Sequence, residues 1–472
     1  MTLDAIVVGA GPNGLAGAIA LAQAGHSVRV YERDATIGGS TRSAELTLPG
    51  YTHDVCAAVH ALALASPFLR TLPLAQYGLD LIQPPVPFAH PFDDGTAIIV
   101  RRSVAETAAS LGSGDAKRYR KHVEPLVQRA DDLMEALLGP IGLRHPMLMA
   151  RFSIDAGLSA EVYAKWNFAD ERTRAMFGGV AAHSIVPLDK IGTAGYGLGL
   201  LVSAHAYGWP IARGGSQHLP NAMASYLRSL GGEIVTGESI ESLDALPHAR
   251  AVLCDVTPRS LLRMAGDKMP ARYGRRLAKY RYGPGVFKID WALNSPVPWR
   301  DPACTEAGTL HLGGSMRELA ISERDAWDGR VTDNPFVLVV QPTCFDASRA
   351  PAGKHTLWAY CHVPHGSTTD MTERIERQIE RFAPGFHDCI EARNVLFPAD
   401  LERRNPNLVG GDIAGGAGDF PQMLIRPLLS LDPYATVMKG VYLCSSSTSP
   451  GIGVHGMCGY YAARSALKHS LR

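Results

Sequence analysis

The chain has 472 residues, 46% hydrophobic and 19% charged, with 46 Lys and Arg against 45 Asp and Glu; at about 150 residues per domain this is a prior of three domains' worth of chain. A formal net charge of +1 leaves no electrostatic footprint for nucleic acid, and the hydrophobic content excludes a disordered chain. The 48 Gly and 32 Pro together reach about 17% against a usual sum near 12%, so many turns or close backbone approaches are expected.

Residues 4–8, DAIVV, carry acidic Asp4 where a leader would be basic, and read as a buried first strand instead of a signal peptide. Gly9, Gly11 and Gly14 follow as GxGxxG, and Leu15, Ala18, Ile19 and Ala22 then recur at helical spacing, with Pro12 in the first turn and Gly25 at the end. Glycines in this strand-to-helix setting let backbone approach a pyrophosphate that rests on the helix N-terminus. A second strand, VRVYE, ends in Glu32, placed to accept hydrogen bonds from an adenosine ribose. Gly38, Gly39 and Arg42 just beyond it suit a second approach to the diphosphate, which favours an extended FAD over NAD.

His60, in the apolar run VCAAVHALALASPFL, reads as a core histidine. Gly112 and Gly114 lie in a helix-start turn, so no second nucleotide fingerprint is found, and the charged runs at 116–138 and 169–176 read as solvated faces of a helical insertion. Residues 191–212 hold no Asp, Glu, Lys or Arg, long enough in principle to span a bilayer. Their glycines, His205 and Pro210 oppose that and predict a buried, ligand-facing wall. Tyr196, His205, Tyr207 and Trp209 there could frame an apolar substrate, the alternative being plain core packing.

From 212 to 243 the pattern predicts a helix capped by Ser216, with Leu219, Met223, Leu227 and Leu230 on one face, then the strand EIVT. VFKIDWAL, PFVLVVQPT and HTLWAYCHV mark a strand-rich part between about 270 and 420. In the first of these, Val286, Lys288 and Asp290 share a face, so Lys288 serves a site, faces solvent or pairs with Asp290. Residues 440–467 read as a short strand, a Ser- and Gly-rich turn and a helix starting near Val454, whose positive end could stabilise charge on a reduced flavin. The eight cysteines show no CxxC pair, which excludes zinc-ribbon and redox-disulfide spacing and fits a reducing, cytoplasmic setting. No metal site is expected.

Taken together, the GxGxxG segment, CSSSTSPGIGVHG at 444–456 and NLVGGDIAGGAGDFPQMLIRP at 407–427 resemble the phytoene desaturase branch of the flavin amine oxidase superfamily, including its subgroup named after a pyridine nucleotide-disulfide oxidoreductase domain. The resemblance implies an α/β fold: a discontinuous FAD-binding Rossmann-like domain of the glutathione reductase and amine oxidase type (1–70, 213–265, 420–472). An α+β substrate-binding domain with a helical insertion would span 71–212 and 266–419. It implies non-covalent FAD contacted by Gly9, Gly11, Gly14, Glu32, Arg33, Gly38, Gly39, Arg42, Ile240, Ser447, Gly451, Gly453 and Val454.

Lys288 resembles the amine oxidase lysine that reaches flavin N5 through a water, and His455 stands where the family has proline beside the flavin; both are candidate catalytic residues. Ser445, Ser446 and Ser447 depart from the family's Gly, Ala, Gly. The expected activity is removal of hydride from a C–C or C–N bond of an apolar or amphipathic small molecule, with oxygen, a quinone or another carrier as acceptor. Amine oxidation, polyene isomerisation or saturation on reduced flavin, and flavin binding without catalysis are the alternatives. Membrane-peripheral contact and oligomeric state stay open.

Overall fold

The computed structural model describes residues 3–140, 142 and 144–472. Among them, five parallel strands form one sheet in the order Val441–Leu443, Ala249–Cys254, Leu3–Val8, Val28–Glu32, Glu233–Thr236. The first strand lies central, paired to Ala249–Cys254 and Val28–Glu32. A parallel sheet covered on both faces needs continuous apolar strands, and Ala5, Ile6 and Val7 are fully buried.

The helix Pro12–Gln23 packs between this sheet and the C-terminal helix Met457–His469. Their crossing depends on glycine: a Cβ on Gly459 would sit 1.7 Å from the carbonyl oxygen of Asn13, and one on Gly17 would sit 3.1 Å from that of Gly459. Residues more than 440 positions apart in sequence thus become backbone neighbours.

A second, seven-stranded sheet runs Ile390–Leu396, Gly285–Leu293, His355–Val363, Val337–Val340, Ala307–Leu312, Val86–Pro91, Ala97–Val100. All neighbours are antiparallel except Ala307–Leu312 with Val86–Pro91. The three runs expected as strands therefore sit side by side. Alternation sorts the faces: Phe287, Ile289, Trp291, Leu357, Ala359 and Cys361 pack into a core with Ile375, Ile379 and Phe382 of the helix Thr372–Phe382. Thr309, Leu338, Val340, Trp358 and Tyr360 turn the other way, toward the nucleotide-type sheet.

The uncharged stretch forms the helix Thr193–Ala206, which packs on Glu171–Ala181 and Pro146–Ala156. No helix of the described residues is long and apolar enough to cross a membrane. Two boundaries differ from expectation. Ser216 is not a cap: the helix starts at His218 after Gln217, while the Ser216 hydroxyl donates to Ala57 O at 2.6 Å and its N–H to Asp54 at 2.7 Å. The C-terminal helix starts at Met457, not near Val454, because Gly456 takes a left-handed conformation (φ +68°) that no helix continues through.

Candidate functional site

One cavity of about 920 Å³ runs from the glycine-rich turn to the inward face of the seven-stranded sheet. At its nucleotide end lie Gly9, Gly11, Asn13, Glu32, Arg33, Gly39, Arg42 and Ile240, and facing them Ser446, Ser447, Gly453 and Val454. Gly14, Gly38 and Gly451 stand behind this wall. A Cβ on Gly14 would lie 2.0 Å from Gly9 O, so the turn closes only around hydrogen at that position. Gly38 and Gly451 have φ of +117° and +106°, the region that favours glycine.

The helix Pro12–Gln23 has no side-chain cap at Gly11, which leaves first-turn N–H groups for an anion, and Asn13 Oδ1 is buried without a partner. Glu32 accepts from Ala10 N at 2.9 Å and from Asp34 N at 3.1 Å, holding its carboxylate at the strand end. Arg42 is fully engaged, donating to Gly39 O, Asp34 and Arg404 O. It pins the loop that approaches Gly11, where a Cβ on Gly39 would lie 3.3 Å from Gly11 Cα. A glycine cradle, uncapped helix start and strand-end carboxylate fit a dinucleotide.

The serine triplet resolves the departure seen in the sequence. Ser445 donates to Val256 O and Ser447 to Gly415 O, each at 2.7 Å, so these hydroxyls stitch separate segments together. Behind them the buried Arg426 donates to Ser446 O at 2.9 Å and to the carbonyls of Ala414, Gly416 and Ala417. This is what the 407–427 stretch does: it braces the turn.

The candidate catalytic residues fall behind the wall. Lys288 is buried and donates to Asp290 at 2.5 Å, and its Nζ lies 5.8 Å from the Trp358 ring centroid. Burial lowers the lysine and raises the Asp290 carboxyl to about 6. Of the sequence readings, pairing with Asp290 is the one observed, and Trp358 and Cys56, which line the cavity, lie beside the lysine.

His455 is fully buried. Its Nδ1 accepts from Met457 N–H at 3.0 Å and its Nε2 donates to Gly451 O at 3.2 Å, and burial lowers its pKa to about 4. Both nitrogens are committed to the turn, so His455 shapes the helix start and does not reach the cavity. His60, read as core, is buried but lines the cavity, with Nε2 3.0 Å from Ser216 Oγ.

The uncharged stretch divides between cavity and core. Gly192, Gly195, Tyr196, Gly199 and Leu200 line the cavity as one helix face, and Trp209 lines it with its indole donating to Thr309 at 2.8 Å. His205 and Tyr207 do not line it. His205 is held by Tyr119 (2.6 Å) and Arg102 O (3.0 Å), and Tyr207 donates to Asp131 under the Arg70 guanidinium. On the helix His205 lies opposite Tyr196, and Tyr207 stands at the C-cap beyond the last helical residue, where Asp131 holds it.

Sequence reasoning missed Asp255, Asn405, Asn407, His183, Trp358 and Tyr360, all lining residues. Asp255 accepts from Gly14 N at 3.0 Å, and burial, with Glu32 nearby, raises it to about 7. Asn407 binds Thr257 N and Asp255 O. The one available signal was an Asp closing a strand that pairs with the first strand.

Residues 7–71 match the family described as NAD(P)-binding Rossmann-like domain. The chain is 26% identical to pyridine nucleotide-disulfide oxidoreductase domain-containing protein 2 of Rattus norvegicus (98% of this chain, 92% of the relative). It is 27% identical to phytoene dehydrogenase of Streptomyces griseus (95% and 92%). An oxidoreductase structure from Methanosarcina mazei superposes with a TM-score of 0.67 at 15% identity (99% of this chain, 100% of that one). A putrescine oxidase structure does so with 0.64 at 17% identity (99% and 98%). At those identities the structures speak for the fold. The chain is thus similar over nearly its whole length to a phytoene dehydrogenase and to pyridine nucleotide-disulfide oxidoreductase domain-containing protein 2, and with them it is an FAD-dependent oxidoreductase.

Proposed function

We propose that the chain holds FAD non-covalently and takes hydride from an uncharged, apolar or amphipathic small molecule, at a C–C bond in preference to a C–N bond. The observation that carries this is the charge distribution of the cavity. Its carboxylates, Glu32, Asp34, Glu238, Glu241 and Asp255, all belong to the nucleotide end, and the far end is lined by Leu137, Met149, Phe152, Tyr196, Leu200, Trp209 and Leu338. A protonated amine there would lose hydration without a carboxylate partner, which is costly.

Gly9, Gly11 and the uncapped helix start would hold the diphosphate, Glu32 the ribose, and Ser446 to Val454 the ring end. When bound, the flavin supplies the two-electron acceptor. The protein's part is to position substrate and exclude water, as Trp358, Tyr360 and Leu338 do from the sheet. Oxygen, a quinone or another carrier would then reoxidise the cofactor. On this reading the discontinuous division at 1–70, 213–265 and 420–472 separates cofactor-holding from substrate-holding chain.

The test is an anaerobic bleaching screen of purified protein with polyenes, alcohols and amines, followed by air. A yellow protein that releases its flavin on denaturation and is bleached by neutral apolar compounds is the expected result. A colourless protein that takes up no FAD sinks the proposal, and bleaching by amines alone replaces it with amine oxidation.

A further inference from the structure

The apolar end of the cavity contains one half-buried imidazole, His183, in the turn Ala182–Ser184. Its Nε2 lies 2.9 Å from Nε2 of His311, which stands on the strand Ala307–Leu312 and is fully buried. The Trp209 ring meets His183 edge-on at 6.1 Å, and Phe88 and Phe336 enclose His311 at 5.0 and 6.0 Å.

Two imidazoles joined Nε2 to Nε2 share a single proton between them, so the two ways of placing it are not equivalent. His311 Nδ1 is buried and has no partner. If His183 were the donor, neutral His311 would carry its hydrogen on that Nδ1, leaving a buried N–H without an acceptor at a cost of about 1–3 kcal/mol. If His311 is the donor, its Nδ1 keeps only a lone pair, and unpaired acceptors are tolerated better than unpaired N–H groups. Neutral His183 then carries its second hydrogen on Nδ1. The bond to His311 is the one side-chain hydrogen bond of His183 among the described residues, and His183, unlike His311, lines the cavity.

The titratable surroundings do not supply a proton or a counter-charge to the pair itself. His90 donates from Nε2 to Gly314 O at 2.8 Å and keeps its own Nδ1 unpartnered, and His362 turns its Nδ1 to Glu323 at 2.8 Å. Burial lowers His183 to about 3 and holds His311 well below the usual imidazole value, so both rings stay neutral.

We infer that the His183–His311 pair presents a fixed N–H donor to the apolar end of the cavity, and that the substrate is a neutral apolar molecule bearing an oxygen acceptor, a ketone, aldehyde or alcohol, which this N–H binds. What happens to that molecule rests on the oxidoreductase reading; that it binds there does not.

The test uses octan-2-one and octane as probes in equilibrium dialysis against the full chain. His183→Phe is expected to weaken ketone binding about tenfold, the equivalent of about 1.4 kcal/mol, and to change octane binding by less than about twofold. His183→Gln, which keeps an N–H, should retain ketone binding within about threefold. Loss of both probes to the same extent, or ketone binding indifferent to His183→Phe, overturns the inference. The ¹⁵N shifts of labelled histidine give an independent reading: Nδ1 protonated in His183 and Nε2 protonated in His311 are expected, and the reverse tautomers overturn it. Absorbance of the same samples reports flavin separately. Colourless protein that still prefers the ketone supports the donor and sinks the redox reading, and yellow protein without the preference does the opposite.

Discussion

The two ends of the cavity are built from different materials. The nucleotide end is made of backbone: glycines whose missing Cβ atoms let one turn nest in another, an uncapped helix start, and carboxylates at strand ends. The substrate end is made of side chains, contributed by the Gly-faced helix Thr193–Ala206, the turn at His183 and three strands of the larger sheet. A backbone site tolerates almost no substitution because atoms already touch, whereas a side-chain wall can be reshaped without disturbing the fold beneath it.

Four changes would break or sharpen that contrast. Gly459→Ala should do the most damage, about 3 kcal/mol or more, because its Cβ would fall 1.7 Å from Asn13 O between two packed helices. A large drop in melting temperature together with loss of bound flavin is the expected pair of readings.

Lys288→Met should follow at about 3 kcal/mol near pH 8, since it leaves buried Asp290 unpaired. Because the Asp290 carboxyl already sits at about 6 and rises further when it loses its cation in the variant, the deficit should shrink as pH falls toward that value and level off below it. A deficit that is the same at pH 5 and pH 8 in denaturant unfolding would contradict this.

Asp255 gives the next effect. Its carboxyl is raised from 3.8 to about 7, first by burial, so between those values the folded protein binds more protons than the unfolded chain. Its contribution to stability is complete below about pH 4 and declines as pH rises to about 7, by an amount on the order of 3 kcal/mol. In flavin-free protein, Asp255→Asn should keep an acceptor for Gly14 N and flatten the stability profile across this window.

Gly199→Leu should be the mildest for the fold. A Cβ there meets nothing nearer than Leu137 at 3.7 Å, and the longer side chain would occupy the substrate end. Flavin retention unchanged within about 10% of wild type, with bleaching by large substrates slowed about tenfold, is the outcome that the side-chain wall predicts.

How much of this was legible in the sequence follows from the same contrast. The GxGxxG turn, Glu32 and the second glycine pair could be read because each works through local backbone geometry at short spacing. The 407–427 and 444–456 stretches were recognisable by resemblance, yet their task of bracing one another through Arg426, Ser445 and Ser447 required the folded chain. Lys288 resembles a family lysine by its place on a strand, and that strand also carries Asp290 two residues on, which claims it. His205 and Tyr207 are close in sequence to Tyr196 and Trp209, but helical rotation turns His205 to the opposite face and Asp131 with Arg70 holds Tyr207 beyond the helix end.

By itself, then, the sequence determined the nucleotide turn, the strand and helix types, and the apolar character of the 191–212 wall, because these depend on contacts within a few residues. Tertiary structure alone decided which two histidines of 17 reach the cavity, His60 and His183, that Lys288 pairs with Asp290 and does not serve the site, and that Asp255 closes on Gly14. Those outcomes depend on strand order and on the register across two sheets, set by burial of whole faces and invisible in any local window.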